Sequence, residues 1–289
     1  MAYAVTVNMP ALRNKVVKGA RFVTSKEFVD HPIRSVSRRL VWRAHWKLRP
    51  HRPFTVTYLD GLRLTLANST ASSGIYLNDG FSDPIVARLF LRFLRPGMVA
   101  FDIGAHVGEY SVLIASRVGA TGSVHSFEPD PTMIPFLRRN VRANRLDNVT
   151  VNEAAVSDVD GRASFSAEPD ATSSHLSDFA APIPSSDQTV RKDVGTLTID
   201  SYVDQAGISA IDFVKLDIEG AEFAALKGGE NTLRTLRPGL VFVECHSDAL
   251  AEAVRSFLAG LEYEVDTDRG HMFPLLWAWS APRDGGSGL

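Results

Sequence analysis

The chain has one cysteine, Cys245, which excludes an internal disulfide and a cysteine-built zinc cluster. No apolar run approaches ~18 residues, and no cationic start leads into an apolar stretch, so neither a membrane span nor a signal peptide is expected. Internal repeats are absent, and 45% hydrophobic with 22% charged residues excludes wholesale disorder and collagen-like structure. A cytoplasmic protein is the expectation. Acids are scarce at the start: residues 1–52 hold twelve Lys and Arg against Glu27 and Asp30, a net +10 that leaves −12 for the remainder. Such an arm suits nucleic acid, an anionic membrane surface or an acidic partner. The plainer reading is a helical extension packed by Val36, Leu40, Val41, Trp42 and Trp46.

What the chain does have, after that arm, is alternation. Phe54–Leu59 and Leu62–Leu66 alternate around Asp60-Gly61, which predicts a β-hairpin with a two-residue turn. A polar stretch, Asn68 to Gly74, leads to Ile75-Tyr-Leu and then a helix from about Asp83, with Ile85, Val86, Leu89, Phe90 and Phe93 on one face. From Met98 short apolar runs alternate with helical patterns, the mark of βαβ units and a parallel sheet. Strands are expected at 98–103, 123–127, 149–154, 212–216 and 240–244, helices near 107–118, 131–144, 219–226, 230–236 and 248–259. A closing pair, Leu261–Val265 and Met272–Trp279, reads as a hairpin edge. Residues 168–190 read as a long loop, of the kind that is usually functional or disordered.

In Phe101-Asp-Ile-Gly-Ala-His-Val-Gly-Glu-Tyr-Ser111, Gly104 and Gly108 sit between a strand and a helix, where the backbone can approach a ligand. Asp102 at the strand end suits a ligand ammonium group. Glu128, 26 residues on in Phe127-Glu-Pro-Asp130, is placed to accept hydrogen bonds from both hydroxyls of a ribose. A dinucleotide would need the tighter G-x-G-x-x-G turn, and Asp102 would repel its phosphates. S-adenosylmethionine carries a ribose and an ammonium group but no phosphate, and it fits both carboxylates.

These segments, with Ala155-Val-Ser-Asp158 and Val214-Lys-Leu-Asp-Ile-Glu-Gly-Ala-Glu222, resemble the FkbM family of S-adenosylmethionine-dependent methyltransferases over about residues 54–250. The resemblance implies a class I methyltransferase fold: an α/β, Rossmann-like, seven-stranded and mostly parallel sheet with an antiparallel last strand. It implies O-methylation of sugar or polyketide hydroxyls. The expected organisation is a basic helical extension over 1–52, a hairpin and helix over 53–96, the cofactor-binding domain over 97–282 and a tail over 283–289. The cofactor residues implied are Asp102, Gly104, Ala105, His106, Gly108, Tyr110, Glu128, Pro129, Ala155, Val156, Asp158 and Asp217. His106 stands where the family commonly has Asn. Ala155 and Val156 would lie near the adenine, and Asp158 either bonds its amino group or caps a turn before Gly161.

Lys215, inside an apolar strand, needs a partner, and Asp217 is on the same side of that strand. Glu219 and Glu222 are candidates for the acceptor site or simply favour the following helix N-terminus. Glu244-Cys-His246 closes the next strand, so Asp217, Glu244 and His246 should converge. Two mechanisms fit. In one, His246 or a neighbouring carboxylate removes the acceptor's hydroxyl proton. In the other, Asp217 and Glu244 hold Mg²⁺, which lowers the hydroxyl's pKa. Lys215 beside Asp217 leaves little charge for a metal, which favours the base. Ser174 and His175 in the long loop are further substrate contacts, and His175 is the next candidate base. The remaining histidines, His31, His45, His51, His125 and His271, read as structural.

The expected partner is a small glycosylated or polyketide acceptor. A nucleic-acid methyltransferase is the enzymatic rival, but no Asn-Pro-Pro-Tyr or Asp-Pro-Pro-Tyr follows the fourth strand, and the rest of the chain is acidic. A non-catalytic cofactor-binding module is the other rival.

Overall fold

The computed structural model describes residues 32–78, 80–167, 175–176, 190–271 and 273–280. Its main sheet has seven strands: β3 (Val99–Ile103), β4 (Ser123–Phe127), β5 (Val149–Asn152), β10 (Phe213–Leu216), β11 (Leu240–Glu244), β12 (Tyr263–Asp268) and β13 (Leu275–Ser280). They lie in the order β12-β13-β11-β10-β3-β4-β5. Only β13 runs against its neighbours, so the expected class I methyltransferase sheet is present, with β12 rather than β13 at the edge. The strand sequences explain the layering. Runs such as Val-Ala-Phe-Asp-Ile and Leu-Val-Phe-Val are covered on both faces, as parallel strands require. Phe213 and Phe242 join Phe90 and Trp277 on one side, while Phe101, Val214, Val241 and Val243 pack on the other.

The covering helices are α3 (Pro84–Phe93), α4 (Glu109–Val118), α5 (Ile134–Ala143), α6 (Ile199–Ala206), α7 (Glu222–Lys227), α8 (Glu230–Thr235) and α9 (Asp248–Gly260). Asp83 caps α3 by accepting from the Ile85 and Val86 N–H groups, with Pro84 in the first turn. Two helices precede α3: α1 (Pro32–Leu48) and α2 (Thr70–Leu77), with the strands β1 (Phe54–Tyr58) and β2 (Leu62–Leu66) between them. The polar stretch read as a lead-in is therefore helical: Ser69 caps α2 through the Ser72 N–H, and Ile75 enters the core.

The hairpin is as expected except for its turn, which takes three residues, Leu59 to Gly61, because Tyr58 pairs with Leu62. Asp60 at φ 52 and Gly61 at φ 86 supply the left-handed backbone, which Asp tolerates. Two side-chain amides fasten β2 to α5. Asn140 accepts from the Thr65 N–H at 2.7 Å and donates to the Thr65 carbonyl at 3.0 Å, and Asn144 treats Arg63 likewise at 2.8 and 2.7 Å.

Helix α1 docks differently from the expectation. Trp42 packs on Phe54 and Tyr76, with ring centroids 5.2 and 5.9 Å apart, and Arg38 lies over Tyr76. Val36, Leu40 and Val41 are exposed, because the helical period turns them away from the face that carries Trp42.

A second sheet was not foreseen. β6 (Ala155–Val156), β7 (Gly161–Ala167), β8 (His175–Leu176) and β9 (Val190–Leu197) pair in the order β6-β9-β7-β8. Its alternation is carried largely by small and polar residues, with Phe165 and Val194 as the buried apolar anchors. Among the described residues no helix is long and apolar enough to cross a membrane.

Candidate active site

The carboxyl ends of β3, β4, β10 and β11 converge on a cavity of about 260 Å³. This is where ligands bind in open α/β sheets. Between β3 and α4 the backbone turns through Gly104 (φ 83), His106 (φ 51) and Gly108 (φ 88). A Cβ on Gly104 would stand 1.9 Å from the Asp217 carbonyl oxygen, so glycine is required for the loop to lie against the end of β10. Gly108 caps α4 and abuts Leu137 instead of the cavity.

Glu128 lines the cavity while nearly buried. Its Oε2 accepts from the His106 N–H at 2.7 Å and its Oε1 from the Asp130 N–H at 2.8 Å. Burial pushes the carboxyl up to about 7 despite those donors. Two fixed amides orient the carboxylate and leave lone pairs facing the cavity. His106 also faces the cavity, with a buried Nε2 that has no hydrogen-bond partner. Burial lowers its pKa to about 4, so its ring is neutral near pH 7. Ala105, Pro129, Ala155 and Val156 complete this wall, joined by Phe165 from the second sheet.

Asp102 stands at the carboxyl end of β3. It is fully buried beneath the cavity and does not line it. Its Oδ2 accepts from Ser111 Oγ at 2.5 Å, and its Oδ1 lies 3.3 Å from Lys215 Nζ. The parallel register puts Asp102 directly beside Lys215, so Asp102 is that ammonium's nearest carboxylate, with Asp217 at 3.8 Å. Lys215 also donates to the Gly104 carbonyl at 2.8 Å. Burial alone would lower its pKa, but Asp102 and Asp217 outweigh that and raise it, keeping the ammonium charged. Tyr110 lies over it, 5.6 Å from Nζ to ring centroid.

Across the cavity, β10 and β11 bring Asp217, Glu219, Glu244 and His246 together. His246 Nδ1 is 2.9 Å from Glu222 Oε1, and Nε2 is 3.3 Å from Glu219 and 3.7 Å from Asp217. Glu222 is wholly buried behind the ring and also accepts from the Ile218 and Gly220 N–H groups. It therefore orients His246 and does not line the cavity, which removes it from direct substrate contact. Phe273 packs against the ring at a tilt of 47°, centroids 4.6 Å apart. Burial would lower the His246 pKa, but the Glu222 hydrogen bond and the Asp217 and Glu219 charges raise it to about 10. Burial pushes Glu219 up to about 7 and Glu244 to about 8, with Asp217 adding to both.

Asp158 is exposed, accepts from Ser157 Oγ and is not among the residues lining the cavity. Ser174 and the side chain of His175 lie outside the described residues. The opposite wall was missed by sequence reading: Ala71 and Ile75 of α2, Ser82 and Glu109. Glu109 accepts from the Ser82 N–H at 2.7 Å and from its Oγ at 3.1 Å, and burial pushes it up to about 8. In the sequence it looks like an ordinary acid in a first helical turn.

The family model for the methyltransferase FkbM domain matches residues 102–265. The chain is 27% identical to the 31-O-demethyl-FK506 methyltransferase FkbM of Streptomyces tacrolimicus, over 72% of this chain and 89% of that protein. It is 28% identical to the 2-O-methyltransferase NoeI of Sinorhizobium fredii, over 61% and 77%. A solved methyltransferase FkbM from Methylobacillus flagellatus is 18% identical and covers 74% of this chain, with a TM-score of 0.47; the chain spans 56% of its length. With the sheet order, the glycine loop and more than half the chain matched, this chain belongs to the FkbM family of methyltransferases.

Proposed function

We propose that the chain transfers the methyl group of S-adenosylmethionine to a hydroxyl of a small glycosylated or polyketide-type acceptor. The observation that carries this reading is one cavity with two differently built acid sets: Glu128, held by two backbone amides, and the Asp217–Glu219–Glu244–His246 cluster opposite. The relatives' names add a 2-O-methyltransferase and, at 26% identity, the hexuronic acid methyltransferase AglP of Haloferax volcanii.

The residues fit the cofactor. Glu128 has lone pairs for two ribose hydroxyls, Ala155, Val156 and Phe165 offer an apolar wall for the adenine, and the orphaned His106 Nε2 offers a bond to the methionine part. When bound, S-adenosylmethionine supplies an electrophilic methyl group on a sulfonium. The protein's task is then alignment, exclusion of water and removal of the acceptor's proton. Lys215 and Asp102 hold the floor between the glycine loop and β10 rigid, a positioning role.

For the proton, the protonation states favour the carboxylates over the imidazole. His246 is already cationic near neutral pH, whereas Glu219 and Glu244 titrate near 7 and 8, where they can accept a proton. His246 stabilises their charged forms. Asp217, Glu244 and His246 do offer ligand atoms within 4.8 Å of one another. Two carboxylates and an imidazole are a poor set for Mg²⁺, which prefers oxygen, and the neighbouring ammonium and imidazolium repel a further cation. No step is assigned to a metal.

The test is incubation of the protein with labelled cofactor and a panel of glycosides and polyketides, read by mass. Gain of one methyl group on an acceptor is expected; cofactor binding without transfer to any of them would support a non-catalytic module instead.

A further inference from the structure

Helix α1 presents an apolar stripe to the outside. Seven large apolar side chains are exposed among the described residues, and five of them lie on this one helix: Ile33, Val36, Leu40, Val41 and Leu48. Ile33 is 85% and Leu48 76% exposed. At ~100° per residue, their spacing keeps them on one face, opposite Trp42, which fastens the helix to the protein. Among the described residues the face is therefore unpartnered, while the helix itself is anchored.

Charge distinguishes the occupants. The helix carries Arg34, Arg38, Arg39, Arg43 and Lys47 with no acid, and Arg49 and Arg52 follow. Arg43 flanks the stripe and Lys47 stands within it between Val36 and Leu40, both exposed. A second copy of this helix would bring like charges together. Residues 1–31 would do the same, since they hold five Lys and Arg against two acids. RNA would meet the cations but leave Ile33, Leu40 and Leu48 in water. An anionic lipid surface satisfies both features, with apolar residues at the headgroup boundary and basic ones among the phosphates.

We propose that α1 docks this chain onto an anionic bilayer, lying in the plane of the surface. Trp42 stacks on Tyr76 of α2, and Ala71 and Ile75 of that helix line the cavity, so the docked face is one helix away from the cavity wall. The inference rests on α1 alone and stands apart from the methyl-transfer reading.

The test is co-sedimentation of the full chain with vesicles of phosphatidylcholine alone and with about 30 mol % phosphatidylglycerol. Association with the anionic vesicles is expected, weakening as salt rises, and roughly tenfold lower or absent with neutral ones. Leu40→Asp, and separately Arg43→Glu with Lys47→Glu, should each weaken it by roughly tenfold while circular dichroism matches the parent. Failure of the full chain to bind anionic vesicles would overturn the proposal, as would binding that Leu40→Asp leaves unchanged. So would a dimer dissociated by Leu40→Asp without vesicle binding, or salt-sensitive retention of RNA without vesicle binding.

Discussion

Glu222 Oε1 lies 2.9 Å from His246 Nδ1, and that contact turns Nε2 toward Asp217 and Glu219 at the cavity wall. A wholly buried carboxylate thus fixes the ring and, with its neighbours, keeps it cationic. The resulting pattern is a charged imidazole beside two carboxyls that titrate near neutrality.

One consequence is a pH profile. If Glu219 or Glu244 takes the proton, the rate rises with pH through about 7 to 8. His246→Ala removes a cation that lowers both carboxyls, so the ascending limb should move to higher pH, with a loss of roughly 10²- to 10⁴-fold at neutral pH. A variant whose rate no longer depends on pH in this range would make His246 itself the base.

Chelation separates the metal reading. With the Lys215 ammonium beside Asp217 and the His246 ring itself cationic, a chelator should leave the methyl-transfer rate unchanged. Loss of turnover restored by a divalent cation would assign the cluster to a metal.

Glu109 gives a stability prediction. Its carboxyl is raised from 4.5 to about 8 on folding, so the native state holds a proton that the unfolded chain releases in that interval. Stability should therefore fall as pH rises from 4.5 toward 8. Glu109→Gln keeps an acceptor for Ser82 and should flatten that fall, gaining on the order of 1–3 kcal/mol above the upper limit. Denaturant unfolding across this range is the measurement.

Lys215 and Asp102 are a buried pair, and removing one partner strands the other. Lys215→Met should cost roughly 3–5 kcal/mol in denaturant unfolding. Adding Asp102→Asn should recover part of that loss, because the uncompensated charge goes with it.

The fold's legibility depended on how strongly each element announced itself. The parallel strands were readable because burial on both faces makes them continuous apolar runs, as in β3 and β11. β7 and β9 were not, since Gly, Ser, Ala and charged residues fill most of their positions and only Phe165 and Val194 reach the core cluster. Glu128 and the convergence of Asp217, Glu244 and His246 followed from strand ends. The Asp102–Lys215 pair depended on register between strands over a hundred residues apart, which one sequence does not display. Likewise the wall built by Ile75, Ser82 and Glu109 depends on how the N-terminal segment folds back.

The most direct test of the account is calorimetry of S-adenosylmethionine binding to the parent and to Glu128→Ala. Two charge-assisted hydrogen bonds to the ribose are at stake, so affinity should fall by roughly 2–4 kcal/mol; the His106 and Asp130 N–H groups lose their acceptor as well, so circular dichroism is recorded alongside. Unchanged affinity in a folded Glu128→Ala protein would contradict the placement of the cofactor in this cavity.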